Sequence, residues 1–157
     1  MKIKFPDNKH LLPVLITCNH VISKSFLSKN DKVFIQINDK IKAIELKNRI
    51  IYNNEKLDIA IIEIKEKDEI KNFLILDEEN QDFKISGKTI YILEYLDTNE
   101  ASVAYGILKD LDNSSFTHSC NTTFGASGPA IMNLKTNKVI GIHIGCSHIH
   151  NYNMENS

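Results

Sequence analysis

Ser127 lies between Gly125 and Gly128 in the stretch GASG, within a chain of 157 residues that holds only six glycines. A glycine two residues before a serine and another directly after it let the backbone fold tightly, so that N–H groups and the hydroxyl point into one space. An acyl-transfer nucleophile needs that arrangement, and an ordinary tight turn has it too. What separates the two is whether the chain also supplies a base and a group to orient it. His20 closes the apolar segment in LITCNHVI. An imidazole at a strand end accepts a proton near neutral pH, although a lone histidine there is more often a surface or capping residue. Asp58 opens the apolar run in KLDIAIIEI. Burying an unpaired carboxylate is costly, so Asp58 should have a partner; taken alone, it also reads as a turn residue before a strand.

These three side chains need a scaffold, and the hydrophobic pattern indicates strands. Apolar, β-branched segments recur at 11–17, 32–38, 41–46, 58–64, 88–96, 101–108, 129–134 and 138–145. Val33, Ile35 and Ile37 alternate with Phe34, Gln36 and Asn38, and most segments are too short for helices. The pattern predicts an all-β protein of two packed antiparallel barrels with a cleft between them. On this reading residues 1–70 form the first half, 71–87 the crossover and 88–157 the second half, all within one domain. One short helix is an alternative to a loop in IKEKDEIKNFLILD. The order His20, Asp58, Ser127 is the reverse of that in α/β-hydrolases, and hairpin sequence follows Ser127 where a hydrolase elbow would need a helix.

Composition narrows the function classes. Nineteen basic residues balance twenty acidic ones, with no long run of like charge, so nothing suggests a nucleic-acid partner. No apolar run is long enough to span a membrane, and Pro6 and Asp7 interrupt the opening MKIKFPDNKH, which does not read as a signal peptide. Three cysteines, Cys18, Cys120 and Cys146, make an odd count without a C-x-x-C pair. They are expected as reduced thiols, which with the missing leader points to a cytoplasmic setting.

The motifs LITCNHVI, LDIAIIEI and GASGPAIMNLKTNKVIGIHIG, in this order, resemble the trypsin-like serine peptidases of chymotrypsin fold. Within them the chain is most similar to glutamyl endopeptidases and related trypsin-like domains. The resemblance covers residues 11–146 and implies two six-stranded barrels, hydrolysis of a polypeptide substrate and no cofactor. It also implies His20 as general base, Asp58 as its orienter and Ser127 as nucleophile, with the backbone N–H groups of Gly125 and Ser127 forming the oxyanion hole. Ala126 stands where digestive members carry an aspartate, so activation by a salt bridge to a freed N-terminus is not expected. Pro129 follows Gly128 directly, which predicts a distorted turn because proline restricts the residue before it. A strand expected before residue 11 is absent or replaced by MKIKFPDNKH, and CSHIHNYNMENS replaces the final one, so both barrels read as incomplete at their termini.

The same resemblance places His143, in GIHIG, and Thr122 on opposite walls of the primary specificity pocket. A histidine there donates to an amide or, when protonated, neutralises a carboxylate, which implies cleavage after Glu or Gln. The alternative is an apolar pocket with His143 as a hydrogen-bonded core residue. His118, Cys120, His143, Cys146, His148 and His150 are zinc ligands by type, but their spacing matches no standard finger, and no metal site is expected. The same fold used without catalysis, as a peptide- or protein-binding module, is the other reading of the whole chain.

Overall fold

The computed structural model describes residues 1–4, 11–37, 40–77, 86–95, 100–111, 115–123 and 125–145. Its first sheet joins β1 (Lys2–Lys4), β2 (Leu11–Thr17), β6 (Ile59–Glu63) and β5 (Ile51–Asn54) in the order β1-β2-β6-β5. A hairpin of β3 (Lys32–Ile37) and β4 (Lys40–Glu45) packs over it. The second sheet runs β11-β10-β7-β8-β9, from β7 (Thr89–Tyr95), β8 (Ala101–Leu111), β9 (Phe116–His118), β10 (Ala130–Asn133) and β11 (Val139–Ile142). Every pairing between named strands is antiparallel, and the curled sheets make the fold all-β, as the hydrophobic pattern predicts, and chymotrypsin-like, as the resemblance implies.

Each half has its own core because strand periodicity turns alternate residues inward. In β6, Ala60 and Ile62 are fully buried and meet Val33, Ile44 and Leu46 from the hairpin. Ile90 and Ile92 of β7 meet Ala104, Leu108 and Ile131 in the second half. Burying each such isoleucine contributes about 1.5–3 kcal/mol. Among the described residues one ion pair is buried in the first half, where Arg49 and Asp68 meet at 2.6 Å.

Several elements differ from the sequence reading. Lys2–Lys4 pairs with β2, so part of the opening segment does supply a strand on that edge. The short helix α1 (Lys24–Lys29) arises where none was expected, its N-terminus capped by the Ser23 side chain accepting from the Phe26 N–H. The stretch read as either a short helix or a loop follows the loop reading, with a 3-10 turn at Glu66–Asp68. Asp58 lies not in β6 but in the turn before it, at φ 51°, a left-handed conformation that aspartate tolerates better than most residues.

Candidate active site

Strand register brings His20 and Asp58 together. In the antiparallel β2–β6 pair, Thr17 opposes Ala60, so the residues just after β2 meet those just before β6. The Asn19 N–H donates to the Asp58 carbonyl at 3.1 Å, extending the pairing by one step. The chain then leaves the sheet in one helical turn, with Val21 and Ile22 both donating to the Cys18 carbonyl, which turns His20 back over β6. Asp58 grips it twice: Oδ1 accepts from the His20 backbone N–H at 2.8 Å and Oδ2 accepts from Nδ1 at 2.6 Å. Bonding Nδ1 to the carboxylate leaves Nε2 as the free face of the ring. The His20 side chain is half exposed and that of Asp58 about a quarter, 50% and 27%, so the pair lies at the surface.

Ser127 reaches the same region from the second half. The β10–β11 ladder continues beyond its strands, with the His143 N–H donating to the Pro129 carbonyl and the Gly128 N–H to the His143 carbonyl, both at 2.9 Å. That pairing sets the serine beside Ile144, whose carbonyl accepts from Ser127 Oγ at 3.3 Å. Gly128, directly before Pro129, takes φ 102°, a conformation open to glycine. Gly128 also lies directly against β2, where a Cβ would come within 2.7 Å of Thr17 Oγ1. Any side chain at that position would push the serine turn away from the strand that leads to His20.

Among the described residues, no hydrogen bond joins His20 to Ser127. The Ser127 N–H is occupied as well, donating to the Gly125 carbonyl at 2.9 Å within the turn. Gly125 sits at φ 90° with open space where a Cβ would be, so this turn has room to change shape.

Cys18 lies under the pair, fully buried, its Sγ donating to the His143 carbonyl at 3.5 Å. Burial, with the Asp58 charge adding to it, pushes its thiol up to about 11. Cys18, His20 and Asp58 present possible ligand atoms within 4.8 Å of one another. A thiol held in its protonated form is a poor metal ligand, and the Asp58 carboxylate is already engaged by His20, so this trio fits a packed hydrogen-bonded pair better than a metal centre.

The proposed specificity pocket is a cavity of about 320 Å³ whose lining includes His118, Cys120, Thr122, His143, Ile144 and Gly145. His143 is buried, its Nε2 facing Thr122 Oγ1 at 3.3 Å and its Nδ1 facing His118 Nε2 at 3.0 Å. Burial holds both imidazoles below their usual value, and for His118 the neighbouring His143 and Lys109 add to the effect. Glu94, also buried, pulls His143 partly back and accepts from the Thr123 N–H and hydroxyl. Sequence reading had not connected either group to this pocket. His118 stood out only as a zinc ligand by type, and Glu94 reaches the wall from β7, nearly thirty residues upstream, with no local signal. Cys146, His148 and His150 lie outside the described residues.

The fold has counterparts among solved structures. Deg5 superposes with a TM-score of 0.64 at 16% identity, over 85% of this chain and 69% of that one. The Rv3671c protease from M. tuberculosis in its active form gives a TM-score of 0.64 at 15% identity, over 94% and 69%. The HtrA-type protease AlgW with a decapeptide gives 0.61 at 16%, over 85% of this chain but only 40% of that one. At such identities the likeness is one of fold. No curated protein matches the chain. A family model does, over residues 6–142, which include both His20–Asp58 and Ser127: the chain belongs to the trypsin-like peptidase domain family.

Proposed function

We propose that the chain is a serine endopeptidase in which Ser127 attacks the scissile carbonyl, His20 takes and returns its proton, and Asp58 orients the imidazole. The observation that carries this reading is the double grip of Asp58 on His20, at 2.8 and 2.6 Å, at the end of the strand against which the glycine-flanked serine turn packs. With Nδ1 bonded to the carboxylate, Nε2 is the nitrogen available to the serine hydroxyl, and Asp58 stabilises the imidazolium that forms. Ser127 Oγ has one weak partner to give up, the Ile144 carbonyl at 3.3 Å. The substrate carbonyl oxygen then takes the Ser127 and Gly125 N–H groups, which requires the Gly125 carbonyl to release the Ser127 N–H. An acyl-enzyme forms as the peptide C–N bond breaks and the leaving amine receives the proton from His20; water reverses the sequence. Residues 1–157 act as a single domain on this reading, and His143 with Thr122 selects Glu or Gln on the acyl side of the cut.

One observation favours a second reading, a peptidase fold used as a binding module. Ser127 is bonded to Ile144 and Gly125 and not to His20. Labelling with a fluorophosphonate probe separates the two. An activated serine gives a covalent adduct that disappears in Ser127→Ala; a wild-type chain that stays unlabelled, or labelling that survives the substitution, overturns the enzymatic reading.

A further inference from the structure

A backbone amide is a donor only, and this settles the protonation of two histidines in sequence. The Cys120 N–H donates to His118 Nδ1 at 3.2 Å, so that nitrogen carries no proton and a neutral His118 is protonated at Nε2. His118 Nε2 lies 3.0 Å from His143 Nδ1, which must then accept. His143 in turn carries its proton on Nε2, the nitrogen facing Thr122 across the cavity. We infer that His118 is a positioning residue that locks His143 as the Nε2–H tautomer, and that the pocket consequently selects an uncharged amide, glutamine, over a carboxylate. This inference rests on the reading of the cavity as the specificity pocket.

The charges around the ring point the same way. Burial acts against both imidazolium forms, and His143 and Lys109 act further against protonation of His118. Glu94 is the opposing group, but its carboxylate is already engaged by Thr123. A glutamate side chain would bring a second negative charge into a site where Glu94 already acts and His143 offers none to balance it. The glutamine amide oxygen accepts the same Nε2–H without that cost. Phe116 holds the floor in place, its ring so close to Gly141 that a Cβ there would clash at 2.4 Å.

Two measurements test this. Long-range proton–nitrogen correlation on the full chain, labelled with nitrogen-15 histidine and held at pH 7.5, reports tautomers without any substrate. The expected result is Nε2–H for both His118 and His143; an Nδ1–H or doubly protonated His143 overturns the lock, whatever the protein cleaves. In the second, a peptide-library profile at the same pH should show Gln preferred over Glu. His118→Phe, which removes both contacts, should cut the Gln-over-Leu ratio about tenfold, and His118→Gln, able to accept from Cys120 and donate to His143, should recover part of it. Glu preferred over Gln, or a ratio unchanged in a folded His118→Phe variant, overturns the selection. A profile with no preference for either residue, alongside the expected tautomers, instead refutes the reading of the cavity as an amide or acid pocket. Should His118→Phe fail to fold, the wild-type tautomers and profile decide.

Discussion

Two aspartates in the first half hold a basic partner at the same 2.6 Å and serve opposite ends. Asp68 and Arg49 are sealed in, with side chains 4% and 0% exposed, and every remaining polar atom of the pair has a use: Arg49 also reaches the Glu63 carbonyl and Asp68 accepts from the Lys65 N–H. Asp58 and His20 lie at the surface, and Asp58 sits in a left-handed turn. A buried pair with full hydrogen bonding ties loops together, whereas an exposed pair adds little stability and leaves a ring nitrogen for chemistry. The distance alone does not tell them apart; the surroundings do.

The contrast is sharpest under substitution. On the proposed mechanism Ser127→Ala should lower peptide hydrolysis by about a million-fold, with the circular dichroism spectrum unchanged, because among the described residues the Ser127 hydroxyl has no hydrogen-bond partner beyond the Ile144 carbonyl. Asp58→Asn should cost about ten-thousandfold in kcat, since an amide favours the wrong tautomer of His20, while denaturant unfolding shifts by no more than about 1 kcal/mol. Asp68→Asn should do the reverse. Leaving Arg49 buried without its counter-charge costs about 3–5 kcal/mol in the same unfolding measurement, and kcat in the folded fraction should stay within a few-fold of the wild type. A stability loss for Asp58→Asn as large as that for Asp68→Asn would erase the distinction.

Acid separates two windows by a smaller effect. Burial alone would raise the Asp68 carboxyl, but the Arg49 and Lys65 hydrogen bonds outweigh it and hold it below its ordinary 3.8. Its contribution is therefore present above that value and lost as pH falls through the depressed one. His118 and His143 are held below their ordinary 6.5, so the unfolded chain takes up protons first on acidification. Their contribution is complete above pH 6.5 and declines as pH falls below it. Thermal melts should show a first loss of Tm beginning near pH 6.5 and a second below pH 4, and His143→Gln should remove part of the first alone. The smallest effect belongs to Cys18. With its thiol at about 11 and no exposed surface, it should alkylate far more slowly at pH 8 than an unfolded control, and Cys18→Ala should change kcat by less than about threefold.

Much of the fold was legible because strand periodicity is a local property. Val33 with Ile35, Ala60 with Ile62, and Ile90 with Ile92 announce inward faces in any short window of sequence. The strand Ile51–Asn54 and the edge Lys2–Lys4 were missed because, at four and three residues, they are too short to show an alternation. The helix Lys24–Lys29 buries none of its residues and so leaves no apolar stripe to read.

The site divides along the same line. Side-chain chemistry and backbone sterics can be read along the chain, and they mark the residue types able to do acyl-transfer chemistry, their order, and the glycines of the serine turn at Gly125 and Gly128. Strand pairing in three dimensions fixes that Asp58 meets His20, through the Thr17–Ala60 register, and that Ser127 rests on Ile144. Tertiary packing likewise sets His118 behind His143 and Glu94 behind Thr123. Those contacts join residues 17 to 38 positions apart, and hydrogen bonds of that reach depend on how sheets pair and pack, which no local pattern records.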